Sequence, residues 1–213
     1  MADDIEAFNA LESGKNDQII RIYSWKPRCI SLGYSQNIEE EIELRRAKEY
    51  GWDVVQRPTG GGIVFHNEAE VTYSLIIVKD RLPDGLVPSY LKISEAVICA
   101  LGKLGMKVEI SKSKVDSRKL KVGLCFSYPE GYEIVADGKK IVGAAQKRGK
   151  RALLQQGSIF VRSADPLAFS VLKKDHEKQN AISIEEVLGR VPSFDELSRA
   201  LISGFQEGLG LEI

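Results

Sequence analysis

The chain has 213 residues, 43% hydrophobic and 28% charged, with 30 Lys and Arg against 30 Asp and Glu. That length suits one domain, or one with a small appendage, able to build a core, and a formal net charge of zero gives no molecule-wide field for nucleic acid or a membrane surface. Three cysteines without metal-ligand spacing, no apolar run near the roughly 20 residues that span a bilayer, and no basic-then-apolar N-terminus together predict a cytoplasmic protein.

In chain order, Met1-Ala2-Asp3-Asp4 opens a helix running to about Leu11. Alternation over residues 19–24 and 29–33 predicts two neighbouring strands, with Trp25-Lys26-Pro27 turning between them. Residues 39–50 are expected as one charged surface helix ended by Gly51, its acidic start matched to the helix dipole. Residues 53–55 and 63–65 read as short strands around a glycine-rich stretch, and 72–78 as an apolar strand. After Pro88-Ser89, the residues Tyr90, Ile93, Val97, Leu101 and Leu104 recur at helical spacing, the stripe of a helix laid on a sheet, with Cys99 off it. Residues 106–110 predict a further strand.

Residues 133–136 and 139–142 flank Asp137-Gly138, the strongest short hairpin signal in the chain, and 152–161 reads as another strand. Two capping-box pairs follow, Ser183 with Glu186 and Ser193 with Glu196. The second starts a helix with Phe194, Leu197, Leu201, Phe205 and Leu209 on one face. No repeat, low-complexity tract or linker divides the chain, so residues 1–213 are expected to form a single domain. Periodicity supports a mixture of α and β and nothing finer.

The stretch that organises the chain is Gln56-Arg57-Pro58-Thr59-Gly60-Gly61-Gly62-Ile63-Val64-Phe65-His66. Three consecutive glycines remove every Cβ from the turn, so a ligand can approach the backbone N–H groups, with Arg57 and His66 bracketing the gap. The Lys and Ser/Thr of a Walker A loop are missing, and there is no G-x-G-x-x-G spacing before a helix. Spacing alone leaves open a ligand-binding loop and a tight turn without function.

The string from Arg57 to His66, continued by Val71-Thr72-Tyr73-Ser74, resembles the signature of the lipoate–protein ligase and octanoyltransferase family, where this loop lines the acyl or acyl-adenylate pocket. The likeness recurs in Tyr23-Ser24-Trp25, in Ser31-Leu32-Gly33-Tyr34-Ser35-Gln36 and in Leu153-Leu154-Gln155-Gln156-Gly157-Ser158-Ile159. Gln156 stands where relatives often have His, so the resemblance does not carry an acid–base role over to that position. The family's Met-Ala-x-Asp segment lies a little inside its domain, which implies a first strand absent from this sequence. The resemblance implies an α+β fold of mixed, largely antiparallel sheets flanked by helices, like the catalytic domain of biotin/lipoate protein ligases.

Gly138-Lys139-Lys140-Ile141-Val142-Gly143-Ala144-Ala145 matches the segment that carries the family's active-site lysine, at Lys140, and gives a second low-bulk stretch at Gly143, Ala144 and Ala145. Without the resemblance both lysines read as surface charges, and alternation lets at most one face a site. A lone cysteine is more often a packing residue than a nucleophile. In the cysteine-dependent octanoyltransferases, however, the acyl-thioester cysteine lies in the segment matched here by Cys125, followed by a Tyr-Glu pair, here Tyr132-Glu133, and then the lysine. A nearby ammonium would favour the thiolate, and N–H groups of Gly60, Gly61, Gly62 or Gly143 could hold the oxyanion.

The chain is most similar to that branch. The resemblance therefore implies octanoyl transfer from octanoyl acyl carrier protein to a lysine of lipoyl domains, those of 2-oxoacid dehydrogenases and the glycine cleavage H protein. It implies Cys125 and Lys140 as catalytic residues and no cofactor. Acyl-binding residues would be Arg57, Thr59, Gly60, Gly61, Gly62, His66, Tyr73, Gly143, Ala144 and Ala145. The basic segments at residues 112–121 and 147–151 are either solvated loops or docking surfaces for acidic partners. Two alternatives are an ATP-dependent lipoate–protein ligase, which would bring ATP and Mg, and an amidotransferase between lipoyl proteins. A biotin ligase lacks its Gly-Arg-Gly-Arg motif here, and intact Cys125 and Lys140 speak against a non-catalytic binding module.

Overall fold

The computed structural model describes residues 1–15, 17–111, 132–163, 166–174 and 180–212; Cys125 and the basic segment 112–121 lie outside them. Helix α1 (Ala2–Glu12) leads into β1 (Ile19–Tyr23), β2 (Cys29–Leu32), α2 (Ile38–Glu41), α3 (Leu44–Glu49), β3 (Asp53–Gln56), β4 (Val64–His66) and β5 (Glu70–Val78). Then come α4 (Leu86–Lys103), β6 (Glu109–Ile110), β7 (Ile134–Ala136), β8 (Lys139–Arg148), β9 (Ala152–Phe160), α5 (Ile184–Leu188) and α6 (Phe194–Leu209). An antiparallel sheet in the order β1-β5-β9-β8-β7-β6 forms the base, and a three-stranded sheet, β3-β2-β4, lies beside it. This is the α+β arrangement expected.

Alternation divides the large sheet into two faces. One carries Tyr73, Leu75, Ile77, Leu153 and Ile159 against α4 and α6, whose Ile93, Val97, Leu101, Leu197, Leu201 and Phe205 complete the main core. The predicted stripes supply both helices, except that Phe194 at the start of α6 is exposed. On the other face, Phe8 and Leu11 of α1 cover Ile76 and Leu154, while Val64 of the small sheet meets Phe160. A gap remains between α1 and the small sheet.

Three expectations change. First, β1 and β2 are not neighbours: β1 pairs with β5, and β2 belongs to the small sheet, parallel to β3 and antiparallel to β4. Second, the helix expected at 39–50 is broken at Ile42, fully buried and extended, which bridges to Leu172 while the Glu43 N–H donates to the Val171 carbonyl. Burying that isoleucine outweighs helical propensity, which is worth only tenths of a kcal/mol per residue. Third, the strand at 106–110 shrinks to the two residues of β6.

The hairpin forms as predicted. Asp137 and Gly138 both have positive φ, as a two-residue type I′ turn requires. Its ladder is irregular: Ala136 faces Lys139 and Val135 faces Lys140, but Ile134 faces Val142, leaving Ile141 as a bulge. Ser183 forms a complete capping box with Glu186, whereas Ser193 caps only the Glu196 N–H, because the Glu196 carboxylate turns to Arg190.

The turn between β8 and β9 is held from α1. The Glu12 carboxylate accepts the N–H groups of Lys150 at 2.6 Å, Arg151 at 3.0 Å and Ala152 at 2.7 Å. These donors hold its pKa below the ordinary 4.5. Such a group stabilises the fold above its unfolded pKa, and the contribution fades as pH falls through the lowered folded value. Glu12→Gln is therefore expected to lower the melting temperature at neutral pH, with the gap to wild type closing as pH drops below 4.5. A gap that stays constant with pH would show that the carboxylate charge is not what holds the turn.

Candidate active site

The gap between the sheets is a narrow cleft of about 30 Å³, bounded by Arg57, Val64 and His66 on one side and by Thr72, Gly143, Ala144, Ala145 and residues 156–158 on the other. That volume is on the scale of one or two waters, so an acyl chain enters only as the lining moves apart.

The glycine stretch forms one lip. Because β3 and β4 lie on opposite sides of β2, the chain between them crosses the end of β2 rather than folding back as a hairpin. At the crossing Gly61 has φ +88°, and Gly33, just past β2, lies so close beneath it that a Cβ there would fall 1.9 Å from the Gly61 carbonyl oxygen. Arg57, 5% exposed, fastens the loop from inside. Its guanidinium donates to the carbonyls of Gly60 at 2.8 Å and Gly62 at 2.6 Å and to that of Ser31 at 3.0 Å. Among the described residues, no acceptor meets the N–H groups of Gly60, Gly61 or Gly62.

The opposite wall is locked by a buried carboxylate that sequence reading missed. Asp4 of α1 is fully buried and paired with Arg21. It also accepts Tyr23 Oη at 2.8 Å, Ser74 Oγ at 2.7 Å and Gln156 Nε2 at 2.8 Å. The other end of the Gln156 amide accepts Thr59 Oγ1 at 3.0 Å, tying the glycine loop to the floor. Gln156 is thus a clamp. Burial and then Asp4 push the Tyr23 hydroxyl far up, so it acts as a neutral donor.

His66 stands on the small-sheet side with Arg57 and Val64, 4% exposed, with Trp25 stacked on its ring at 4.4 Å. Ser31 Oγ meets Nε2 at 2.7 Å, and Glu70 Oε1 meets Nδ1 at 3.1 Å. Both partners, like Asp4, were passed over at the sequence level. The available signals were carboxylates placed among apolar neighbours at the start of a helix and of a strand.

Lys140 is buried, 2% exposed, and donates to Glu133 Oε1 at 2.8 Å. Its backbone is pinned by residues 180–182: its N–H donates to the Asn180 carbonyl and its carbonyl accepts the Ile182 N–H. Lys139, by contrast, is exposed. Facing residues in a ladder share a side, so Lys140 lies with Val135, opposite to Ile134 and Val142, on the face of Gly143 and Ala145. It therefore sits on the cleft face without belonging to the lining of the narrow cleft.

The structure thus gathers Arg57, His66, Gly143, Ala144 and Ala145 around one gap, with Thr59 and Gly61 at its lip and Lys140 on the same face. Tyr73 is placed elsewhere: it is fully buried in the main core, packed on Phe205, with its hydroxyl accepting Gln155 Nε2 at 3.0 Å. Of the described cysteines, Cys29 is buried with its thiol pushed up to about 12 by desolvation and Asp53, and Cys99 lies on α4 beside Glu207. Neither is disposed to be a thiolate at neutral pH.

Comparison with known proteins gives a consistent picture. The family model "Lipoyl protein ligase A/B catalytic domain" matches residues 1–206. The octanoyltransferase LipM of Moorella thermoacetica is 40% identical over 83% of this chain and 69% of its own length. The corresponding protein of Geobacillus kaustophilus is 34% identical over 93% and 77%. The crystal structure of a lipoate-protein ligase A bound with ATP superposes with a TM-score of 0.78 at 27% identity, covering 97% of this chain and 80% of that one. With the glycine lip, the buried lysine and both sheets all falling inside the matched span, the chain belongs to the lipoyl protein ligase A/B catalytic domain family and is an acyltransferase.

Proposed function

We propose that this protein is a cytoplasmic octanoyltransferase of lipoate biosynthesis, formed by one catalytic domain over residues 1–213. Cys125 attacks the thioester of octanoyl acyl carrier protein. A lysine of a lipoyl domain, in a 2-oxoacid dehydrogenase or the glycine cleavage H protein, then takes the octanoyl group as an amide. The observation that carries this reading is the 40% identity to an octanoyltransferase over most of the chain. Cys125 lies outside the described residues and enters on its sequence segment and on the unsuitability of Cys29 and Cys99. Lys140 polarises the acyl carbonyl and favours the thiolate, the N–H groups of the glycine lip stabilise the oxyanion, and Arg57 and His66 shape the acyl channel. No cofactor is required.

Docking of acidic partners falls to Lys150 and Arg151, which are exposed at the β8–β9 turn. Lys147 instead lies over the Phe8 ring, and Arg148 donates to Ser89 Oγ.

One observation favours a second reading. The overall likeness to an ATP-bound ligase, with N–H groups at the glycine lip that no acceptor among the described residues meets, suits adenylation of lipoate by ATP with Mg. Intact-protein mass spectrometry separates the two. After mixing with octanoyl carrier protein, wild type is expected to gain one octanoyl group that Cys125→Ala does not. A protein that acquires no acyl group from the carrier, yet modifies lipoyl domain with lipoate and ATP, would overturn the thioester reading.

A further inference from the structure

Two side chains of the cleft wall, Ser31 and His66, and the buried Glu70 behind them form a chain of hydrogen bonds that acyl binding alone leaves without a role. Ser31 Oγ lies 2.7 Å from His66 Nε2, and His66 Nδ1 lies 3.1 Å from Glu70 Oε1. Glu70, 1% exposed, also accepts Thr72 Oγ1 at 3.0 Å and Ser158 Oγ at 2.5 Å. With a carboxylate engaged at Nδ1, the neutral ring keeps its proton there and offers the Nε2 lone pair to the Ser31 hydroxyl. Trp25 covers the ring and donates its indole N–H to Thr72 Oγ1 at 2.9 Å, so the imidazole is held in one orientation. The charged groups it meets are Glu70 directly and Arg57 through Ser31, whose Oγ accepts Arg57 Nη1 at 3.1 Å.

A histidine kept for packing needs only two satisfied nitrogens. Here the sequence is carboxylate, imidazole, hydroxyl, and the hydroxyl belongs to a residue that lines the cleft. That order moves a proton from a substrate to a buried base.

We propose that Ser31, His66 and Glu70 form the relay that takes the proton from the amine accepting the acyl group. Ser31 touches the amine; His66 and Glu70 are positioning residues that act through it. The proposal rests on the acyl-transfer reading above and deepens it, but it is indifferent to the donor. The acceptor lysine arrives as an ammonium, R′–NH3+, and the acyl group as R–CO–X, where X is a thioester sulfur or a phosphate oxygen. The C–N bond forms, and the C–X bond breaks with its electron pair leaving on X. Of the two protons the nitrogen sheds, one goes to X or to water. The other passes to Ser31 Oγ as the Ser31 proton moves to His66 Nε2, giving an imidazolium opposite Glu70.

Hydroxylamine provides the test, because its amine is already neutral at pH 7 and needs no proton removed before attack. With lipoyl domain as acceptor, Ser31→Ala is expected to lower kcat about 10²–10³-fold with KM little changed, the usual size of a general-base contribution. His66→Gln, which can still hydrogen-bond but cannot pass on a proton, should do the same. With hydroxylamine, hydroxamate formation by both variants should fall about tenfold or less. Parallel losses with both acceptors, or an unchanged kcat with lipoyl domain, would overturn the relay. A wild-type protein that forms neither amide nor hydroxamate would overturn the acyl-transfer reading and the relay with it.

Discussion

Lys140→Met is expected to lower amide formation on a lipoyl domain by about 10²–10³-fold, the scale of removing one donor from a developing oxyanion. It should also lower stability by about 3–5 kcal/mol, the usual cost of leaving one member of a buried ion pair without its partner. The second effect arises because Glu133 is nearly as buried as Lys140 and is its carboxylate partner at 2.8 Å. A double variant separates the two roles. In Lys140→Met with Glu133→Leu, apolar side chains of similar volume replace the pair, an exchange that is often neutral or stabilising. Tyr90, which donates to Glu133 Oε2 at 3.2 Å, is only half-buried and can turn its hydroxyl to water. Urea denaturation should therefore recover toward wild type while transfer stays lost. Recovered transfer in the double variant would make Lys140 a counter-ion for Glu133 and nothing more.

The second large effect is expected at a residue with no reactive group. In Gly33→Ala the new Cβ would meet the Gly61 carbonyl oxygen at 1.9 Å and its carbon at 2.9 Å, both backbone atoms that no rotamer change can move. Because Arg57 grips Gly60 and Gly62 together, the whole lip has to lift from the end of β2. Misplacement by about 1 Å in a positioned site costs on the order of 10²-fold in rate, and overpacking about 1–3 kcal/mol in stability. Gly60→Ala is the control for stability: a Cβ there meets nothing within 4 Å and its φ is not positive. Thermal melts should separate the two alanines clearly. Equal melting temperatures would mean that the crossing of β2 is looser than the backbone contact implies.

Local features were legible in the sequence and distant partners were not. Asp137-Gly138 announces its hairpin because a two-residue turn with both φ angles positive needs those residue types. Ser183 announces its helix because capping is decided within four residues. Alternation in residues 19–24 and 29–33 predicted both strands but not the sheet each joins, since side-chain period carries no information about the pairing edge. The break at Ile42 depends on Leu172, far along the chain, and no local pattern includes it.

The site divides in the same way. Arg57, Gly61, His66 and Lys140 were singled out because their string is distinctive, and they lie at or beside the gap, although Arg57 proves to hold the loop as much as to face it. Ser31, Glu70 and Asp4 were not found, because each owes its place to pairing. Ser31 reaches His66 only through the antiparallel ladder of β2 with β4, which sets Ser31 against Val64. Asp4 reaches Gln156 only because α1 folds across β5 and β9. Tyr73 shows the converse error, since a residue inside a recognised motif was read as facing the acyl group when strand alternation turns it into the core.

The bulge at Ile141 decides which of two adjacent lysines is available to the cleft. Counting back from Gly143 by strict alternation would choose Lys139, and the tight turn at Asp137-Gly138 would then have to open into a three-residue loop. Instead the turn sets the count from the tip, and the surplus residue is absorbed between Lys140 and Val142. A deletion of Ile141 would leave a regular ladder with Lys140 on the same side, whereas a residue lost or gained at the tip would exchange the two lysines. Length variation in this hairpin therefore keeps the choice of lysine at one position, at the cost of a fully buried core side chain, and reverses it three residues away, so sequence comparison that penalises every gap alike would confuse the two.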